Sequence, residues 1–197
     1  METKKRITEK YELTPVLRQT VFNGLDVRCC CGNRIADTYY FFLATHRETG
    51  EKRGLYAGSD CSLQLIRLAG LKPLPLFDLF GRGNRKWCST MSPLSRDLYV
   101  AINFLVSSWG GRLKPDGRLV GYLLRLAAGP DIPALAEVLK GFAQILAKDR
   151  AGRSLVRIVA GLRERNPSMP WYDFGPLAAA FRECFGTDQL IFGRSIR

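Results

Sequence analysis

The sequence predicts an α+β protein in which a small β-hairpin module precedes a helical bundle. In the first 90 residues, β-favouring residues alternate with polar turns, whereas from residue 91 apolar residues recur at helical spacing. Cysteines flank the predicted hairpin, which favours a metal-stabilised module. We therefore expect a finger-like module with a basic linker in residues 1–90 and a helical bundle in residues 91–197.

The hairpin is predicted over residues 38–57. Residues 38–45 are rich in aromatic and other β-favouring side chains, and the polar stretch 47–52 contains a glycine at Gly50. Residues 53–57 can return as the second strand. Gly58, Ser59 and Asp60 then form a helix start, and Gly70 ends the helix that follows.

Five helices are predicted in the second part. Ser92 as N-cap and Pro93 at the first helical position begin the first of them, and Gly110 and Gly111 end it. Apolar stripes predict the others over about 118–128, from near 131 to 146, over about 153–165 and over about 176–185. Short loops between amphipathic helices favour antiparallel neighbours, hence a bundle.

Composition and charge limit the classes of protein to which this chain can belong. The 197 residues are 46% hydrophobic and 24% charged, which is typical of a globular chain. The net charge of +12 favours polyanionic partners: nucleic acid first, then an acidic protein surface, then an anionic membrane. No apolar run reaches the roughly 18 residues of a membrane span, and the N-terminus does not resemble a signal peptide. We expect a cytoplasmic protein with reduced cysteines.

The cysteines predict a zinc site. Cys29 and Cys31, followed by Gly32, fit the tight turn of a zinc knuckle, where backbone N–H groups point at sulfur. Cys61 lies in the first turn of the predicted helix, where the helix dipole should lower the pKa of its thiol. Cys29, Cys31 and Cys61 are therefore the predicted ligands.

The sequence leaves the fourth ligand open. His46, the only histidine, is the first choice, Cys88 is the second and Cys30 is the third. The alternative for the whole cluster is a set of buried thiols without metal, because cysteine is often buried. Cys184 lies on an apolar helical stripe and is predicted to be a core thiol.

Residues 28–66 resemble the small treble-clef-like CxCG…VGxxC zinc-finger segment of phage and plasmid proteins. The resemblance rests on Cys29-x-Cys31-Gly32, on Ile35, on the aromatic strand after it, and on Ala57-Gly58-Ser59-Asp60-Cys61. It implies zinc binding and a mobile-element origin, and it defines no activity. Such segments usually have a fourth cysteine in the first strand, where this chain has Tyr39 and Tyr40.

Three basic groups are candidate phosphate contacts, with one tryptophan placed to stack on a base. The linker group could equally be a solvated segment, and a charge run on a helix is usually a solvated face; together the groups form a groove only if the fold places them on one side. The residues are Arg82, Arg85, Lys86 and Trp87 in the linker, Arg112, Lys114 and Arg118 around a turn, and Arg150, Arg153 and Arg157 near one helix.

The predicted function is non-catalytic binding of DNA or RNA by a zinc-containing accessory protein. The sequence has no phosphate-binding, Rossmann, zincin or serine-hydrolase motif. A catalytic interpretation would pair Cys61 with His46, but zinc explains the same residues better. The alternatives are a protein-interaction or inhibitory module on an acidic protein surface, and a small subunit of a nucleic-acid-guided effector complex.

Overall fold

A computed structural model describes residues 3–21, 26–74, 91–109, 113–115, 117–128, 135–148 and 154–193. These residues form an α+β fold, as predicted. The elements, in chain order, are α1 (Lys4–Lys10), β1 (Tyr11–Thr20), β2 (Thr38–His46), β3 (Lys52–Gly58), α2 (Ser59–Leu68), α3 (Pro93–Ser108), α4 (Arg118–Ala128), α5 (Leu135–Ala147), α6 (Leu155–Arg165), α7 (Gly175–Phe185) and α8 (Gln189–Phe192).

The strands form one antiparallel sheet with β2 in the centre. β2 and β3 pair from Tyr39 opposite Gly58 to Thr45 opposite Lys52, so the predicted hairpin is confirmed. β1 was not predicted from the sequence. Its Pro15 lies beside a break in the register with β2, which an edge strand tolerates because one side of it makes no ladder hydrogen bonds.

Both faces of β2 are buried, which explains its continuous run of apolar residues. On one face Tyr39 and Phe41 pack against Tyr56 of β3, with ring centroids 6.0 and 5.0 Å apart. On the other face the rings of Tyr40 and Phe42 stack at 5.4 Å. The sheet therefore has an apolar layer on each side.

A buried polar network joins the sheet to α3. The Tyr39 hydroxyl donates to Gln19 Oε1 at 2.7 Å, and Gln19 Nε2 donates to Ser107 Oγ at 2.6 Å. The Ser107 hydroxyl donates to the Asn103 carbonyl at 2.8 Å. Helices and sheet are thus hydrogen-bonded through their common core, and the division into two domains at residue 90 stays a prediction.

Several predicted helix ends are confirmed by local geometry. The Ser92 hydroxyl accepts the N–H of Ser95 at 3.2 Å, with Pro93 at the first helical position. α4 has the predicted bounds, and α7 ends at Gly186 with φ 69°. α1 and the short α8 were not predicted. Among the described residues, no helix has both the length and the apolar character needed to span a membrane.

Candidate metal centre

A tight turn presents the first group of cysteines. Gly32 N donates to Cys29 O at 2.8 Å, and Cys29 N donates to Asn33 O at 2.8 Å. Gly32 has φ 89°, a left-handed conformation that favours glycine. Arg28 and Arg34 form an antiparallel bridge on either side. The turn predicted at Cys29–Gly32 is therefore confirmed, and we call residues 28–34 the knuckle.

The knuckle is attached to β3 and to the beginning of α2. Cys30 N donates to Tyr56 O at 2.7 Å, so the knuckle pairs with β3. Ile35, which is buried, lies against Gly58, the last residue of β3 and the N-cap of α2. Gly58 N donates to Cys29 Sγ at 3.4 Å. These contacts place Cys29 beside the first turn of α2, which contains Cys61.

The thiols of Cys29, Cys30 and Cys61 converge. Their sulfur atoms lie within 4.8 Å of one another, and Cys29 Sγ is 3.9 Å from Cys30 Sγ. Cys31 is next to this group in the chain, and its thiol influences the pKa values of Cys29 and Cys61. A tetrahedral metal with Zn–S bonds of about 2.3 Å holds its sulfurs about 3.8 Å apart. Cys29, Cys30 and Cys61 therefore lie close enough to hold a metal ion.

The surroundings of Cys29 and Cys30 shift the pKa values of their thiols in opposite directions. Burial opposes ionisation of Cys29, but the backbone N–H groups of Cys31 and Gly58 and the thiols of Cys31 and Cys61 lower its pKa to about 7. Burial and the adjacent Cys29 raise the pKa of Cys30 to about 12. Without a metal, Cys29 is thus the thiol of this pair that ionises near neutral pH.

The pKa predicted for Cys61 was wrong. Its thiol lies in the first turn of α2, yet burial and the neighbouring thiols of Cys29 and Cys31 raise its pKa to about 11. The helix dipole predicted the opposite shift. Because Cys29 and Cys61 are neighbours, ionisation of Cys29 disfavours a second negative charge on Cys61.

The structure does not bring His46 to the cysteines. His46 is at the far end of β2 from the cluster. Tyr39, at the near end, pairs with Gly58 beside the cluster. The seven residues from Tyr39 to His46 span about 23 Å along an extended strand. Its Nδ1 accepts the N–H groups of Glu48 and Thr49, each at 3.3 Å. Cys30, the third choice for the fourth ligand, is in the cluster instead, and Cys88 lies outside the described residues.

The sequence contained one signal that favours Cys30 over His46. An extended strand moves the chain about 3.3 Å per residue, so a histidine at the hairpin turn cannot share a site with cysteines at the other end of the strand.

The prediction that Cys184 is a core thiol was also wrong, because its side chain is exposed on α7.

The structure describes three of the predicted phosphate contacts. Lys114 and Arg118 line one cavity of about 420 Å³ together with Trp109 and Lys148, neither of which was predicted to bind nucleic acid. Arg157 is exposed on α6. The other predicted contacts lie outside the described residues: Arg82, Arg85, Lys86, Trp87, Arg112, Arg150 and Arg153.

Fold and site together define an α+β protein with a thiol cluster able to hold a metal ion. Residues 1–78 match the model of a family described only as an uncharacterised conserved protein. The matched region contains the sheet, the knuckle and α2, so the part of the chain that resembles this family is the part that builds the cluster. The comparisons with curated proteins and with solved structures give no match.

Proposed function

We propose that the protein is a zinc-containing, non-catalytic accessory protein that binds nucleic acid. The observation that carries the proposal is the convergence of Cys29, Cys30 and Cys61 within 4.8 Å, with Cys31 next to them in the same tight turn. All four cysteines would hold one zinc ion in a closed site. A closed site leaves no coordination position for substrate, which favours a structural role over catalysis.

The chemistry of the donors favours zinc. Four sulfur ligands suit a soft or borderline metal and do not suit calcium or magnesium, which prefer oxygen. Backbone N–H groups already point at Cys29 Sγ, and such hydrogen bonds stabilise a metal-bound thiolate. Zinc would tie the knuckle to α2 across the edge of the sheet, two segments about 30 residues apart in the chain.

The charge of the chain supports nucleic acid as the partner. The net charge is +12, and cations line the two adjoining cavities between α4 and α5. A surface that neutralises phosphates gains affinity from the release of condensed counterions. The resemblance of the knuckle and hairpin to phage and plasmid fingers adds the hypothesis that the protein acts on a mobile element.

One native preparation tests both parts of the proposal. Mass spectrometry should find one zinc ion per chain in the wild type and in Cys184→Ser, whose thiol is exposed and outside the cluster. Zinc should be lost from Cys29→Ser and Cys61→Ser. A wild-type protein without metal, whose cluster thiols all react readily while it is folded, would overturn the zinc assignment.

Binding to nucleic acid is measured on the same preparation. The zinc-loaded protein should bind labelled DNA or RNA at about 50 mM salt, and more weakly as salt rises. Absence of binding to either polymer would overturn the nucleic-acid assignment. If an acidic polypeptide were bound instead, the protein-interaction function would replace it.

A further inference from the structure

Two adjoining cavities form one groove between α4 and α5. The first has a volume of about 420 Å³ and extends from Trp109 to Lys148; the second has a volume of about 350 Å³ and extends from Tyr122 to Lys140. Both are lined by Arg118 and Gln144, so the two cavities adjoin at these residues. We call this surface the α4–α5 groove.

One end of the groove suits a flat aromatic group. Trp109 is 38% exposed, and the cavity beside it is lined by the apolar side chains of Leu113, Leu119 and Ile145. The volume lies in the range of about 300–1,000 Å³ that is typical of ligand sites. Any of the nucleobases can stack on an exposed indole in such a place, because each base has a flat π-face.

The described lining of the groove is mostly positive. Among the described residues, five cations line it and one carboxylate, Glu137, opposes them. Glu137 lies 3.6 Å from Arg125, whereas no carboxylate within the described parts of the chain pairs with Lys114, Lys140 or Lys148. The five cations are Lys114, Arg118, Arg125, Lys140 and Lys148.

Contacts between α4 and α5 hold the groove in shape. Arg118 Nη1 donates to Gln144 Oε1 at 2.6 Å, so this guanidinium is fixed at the junction of the two cavities. The Tyr122 hydroxyl lies where a Cβ at position 141 would be, so Gly141 permits the close approach of the two helices. A preformed site loses less entropy when a ligand binds.

We propose that the α4–α5 groove binds a single strand of nucleic acid, with one base on Trp109 and the backbone phosphates on the five cations. This inference rests on the proposed function, and it names the surface that binds the nucleic acid. Packed helices have axes about 8–10 Å apart, so the groove between them is narrower than a nucleic-acid duplex. An acidic peptide would satisfy the cations but has no regular supply of flat rings for the tryptophan end.

The test measures binding of a fluorescein-labelled oligothymidine to the zinc-loaded protein as salt is varied. Lys114→Gln/Lys148→Gln should reduce the slope of log affinity against log salt by about 1.4, because each single-strand phosphate contact contributes about 0.7. Lys5→Gln/Arg6→Gln removes the same charge from exposed positions of α1 and should change the slope much less.

The tryptophan is tested in the same assay. Trp109→Ala should weaken binding of the oligothymidine about tenfold or more, and Trp109→Phe should restore part of the loss, because a phenyl ring still stacks. Trp171→Ala is the matched control, since Trp171 is 57% exposed and lies outside the groove. Unlabelled oligothymidine should also displace the labelled strand at lower concentrations than a DNA duplex of the same length does.

The outcomes separate this inference from the proposed function. If the wild type binds nucleic acid but the groove variants behave like their controls, the groove assignment is wrong and the proposed function stands. If the wild type binds no nucleic acid, the proposed function itself fails. If poly-glutamate binds and depends on the groove residues while the oligothymidine does not, the groove takes an acidic protein and the inference is overturned.

Discussion

The metal centre and the α4–α5 groove are built in different ways. At the metal centre, three of the four thiols are consecutive in the chain, and one tight turn sets their arrangement. In the groove, Trp109 follows the end of α3 and Lys148 follows the end of α5, about 40 residues further along the chain, and no short stretch of sequence contains the site. Chemistry concentrated in one turn can be identified from sequence, whereas chemistry assembled by helix packing cannot.

The two regions should therefore respond differently to mutation. The metal centre should depend on a few ligands and lose its structure when one is removed. Binding in the groove should depend on the distance between two helices, so mutations there should weaken binding gradually.

The largest expected effect is the loss of a metal ligand. Cys61→Ser should have a free energy of unfolding several kcal/mol lower than that of the zinc-loaded wild type, because metal binding contributes directly to folding. Hydrogen exchange should show lost protection at the Cys30 amide, which donates to Tyr56 O. Amides in the middle of α3 should stay protected.

Cys184→Ser is the control for that experiment and should leave zinc content and unfolding unchanged. Chelation of the wild type should reproduce the exchange pattern of Cys61→Ser. Unchanged protection at Cys30 after complete metal removal would show that the knuckle is held by its hydrogen bonds alone.

A smaller effect is expected where α4 and α5 approach each other. Gly141→Ala places a methyl group on the Tyr122 hydroxyl, so the helices must separate. Overpacking of this kind costs about 1–3 kcal/mol, measured by urea unfolding. The variant should also bind the oligothymidine more weakly, since the groove changes shape.

Gly121→Ala is the matched control on the facing helix. Nothing lies within 4 Å of a Cβ at position 121, so this change should stabilise the protein by about 0.5–1 kcal/mol through helix propensity. Equal effects of the two substitutions would contradict the close approach at Gly141.

The smallest expected effect is a pH dependence in the helical part. Burial raises the pKa of Asp97 to about 6, although the Leu177 N–H and Arg96 oppose the shift; Asp173 adds to it. The folded state therefore holds the proton more tightly than the unfolded chain. The stability that this group contributes is present below its unfolded pKa and is lost as pH rises through about 6.

Asp97→Asn keeps an oxygen that can accept the Leu177 N–H and removes the ionisation. Relative to wild type, the variant should gain stability as pH rises from about 4 to about 7, measured by urea unfolding midpoints. Glu183→Gln, an exposed change on α7, should show no such gain. A constant difference between Asp97→Asn and wild type across this range would exclude Asp97 as the titrating group.

Local signals in the sequence determined much of the fold. Gly50 and the aromatic run before it determine the hairpin, and Ser92 with Pro93 determines where α3 begins. These signals act through the conformation of adjacent residues, so they need no tertiary contacts. β1 lacks such a signal, because its Pro15 disfavours a strand, and its extended conformation comes from pairing with β2.

The sequence alone predicted that Cys29, Cys31 and Cys61 form one cluster, because a knuckle turn and a helix start are local features; of these, the structure brings Cys29 and Cys61 together. Only the tertiary structure decided that Cys30 faces this cluster and that His46 does not, since the direction of β2 carries the histidine away. It likewise reversed the predicted pKa shift of Cys61, because burial and neighbouring thiols outweigh the helix dipole. Burial, and the distance between groups far apart in the chain, are properties of the folded molecule and have no local signature.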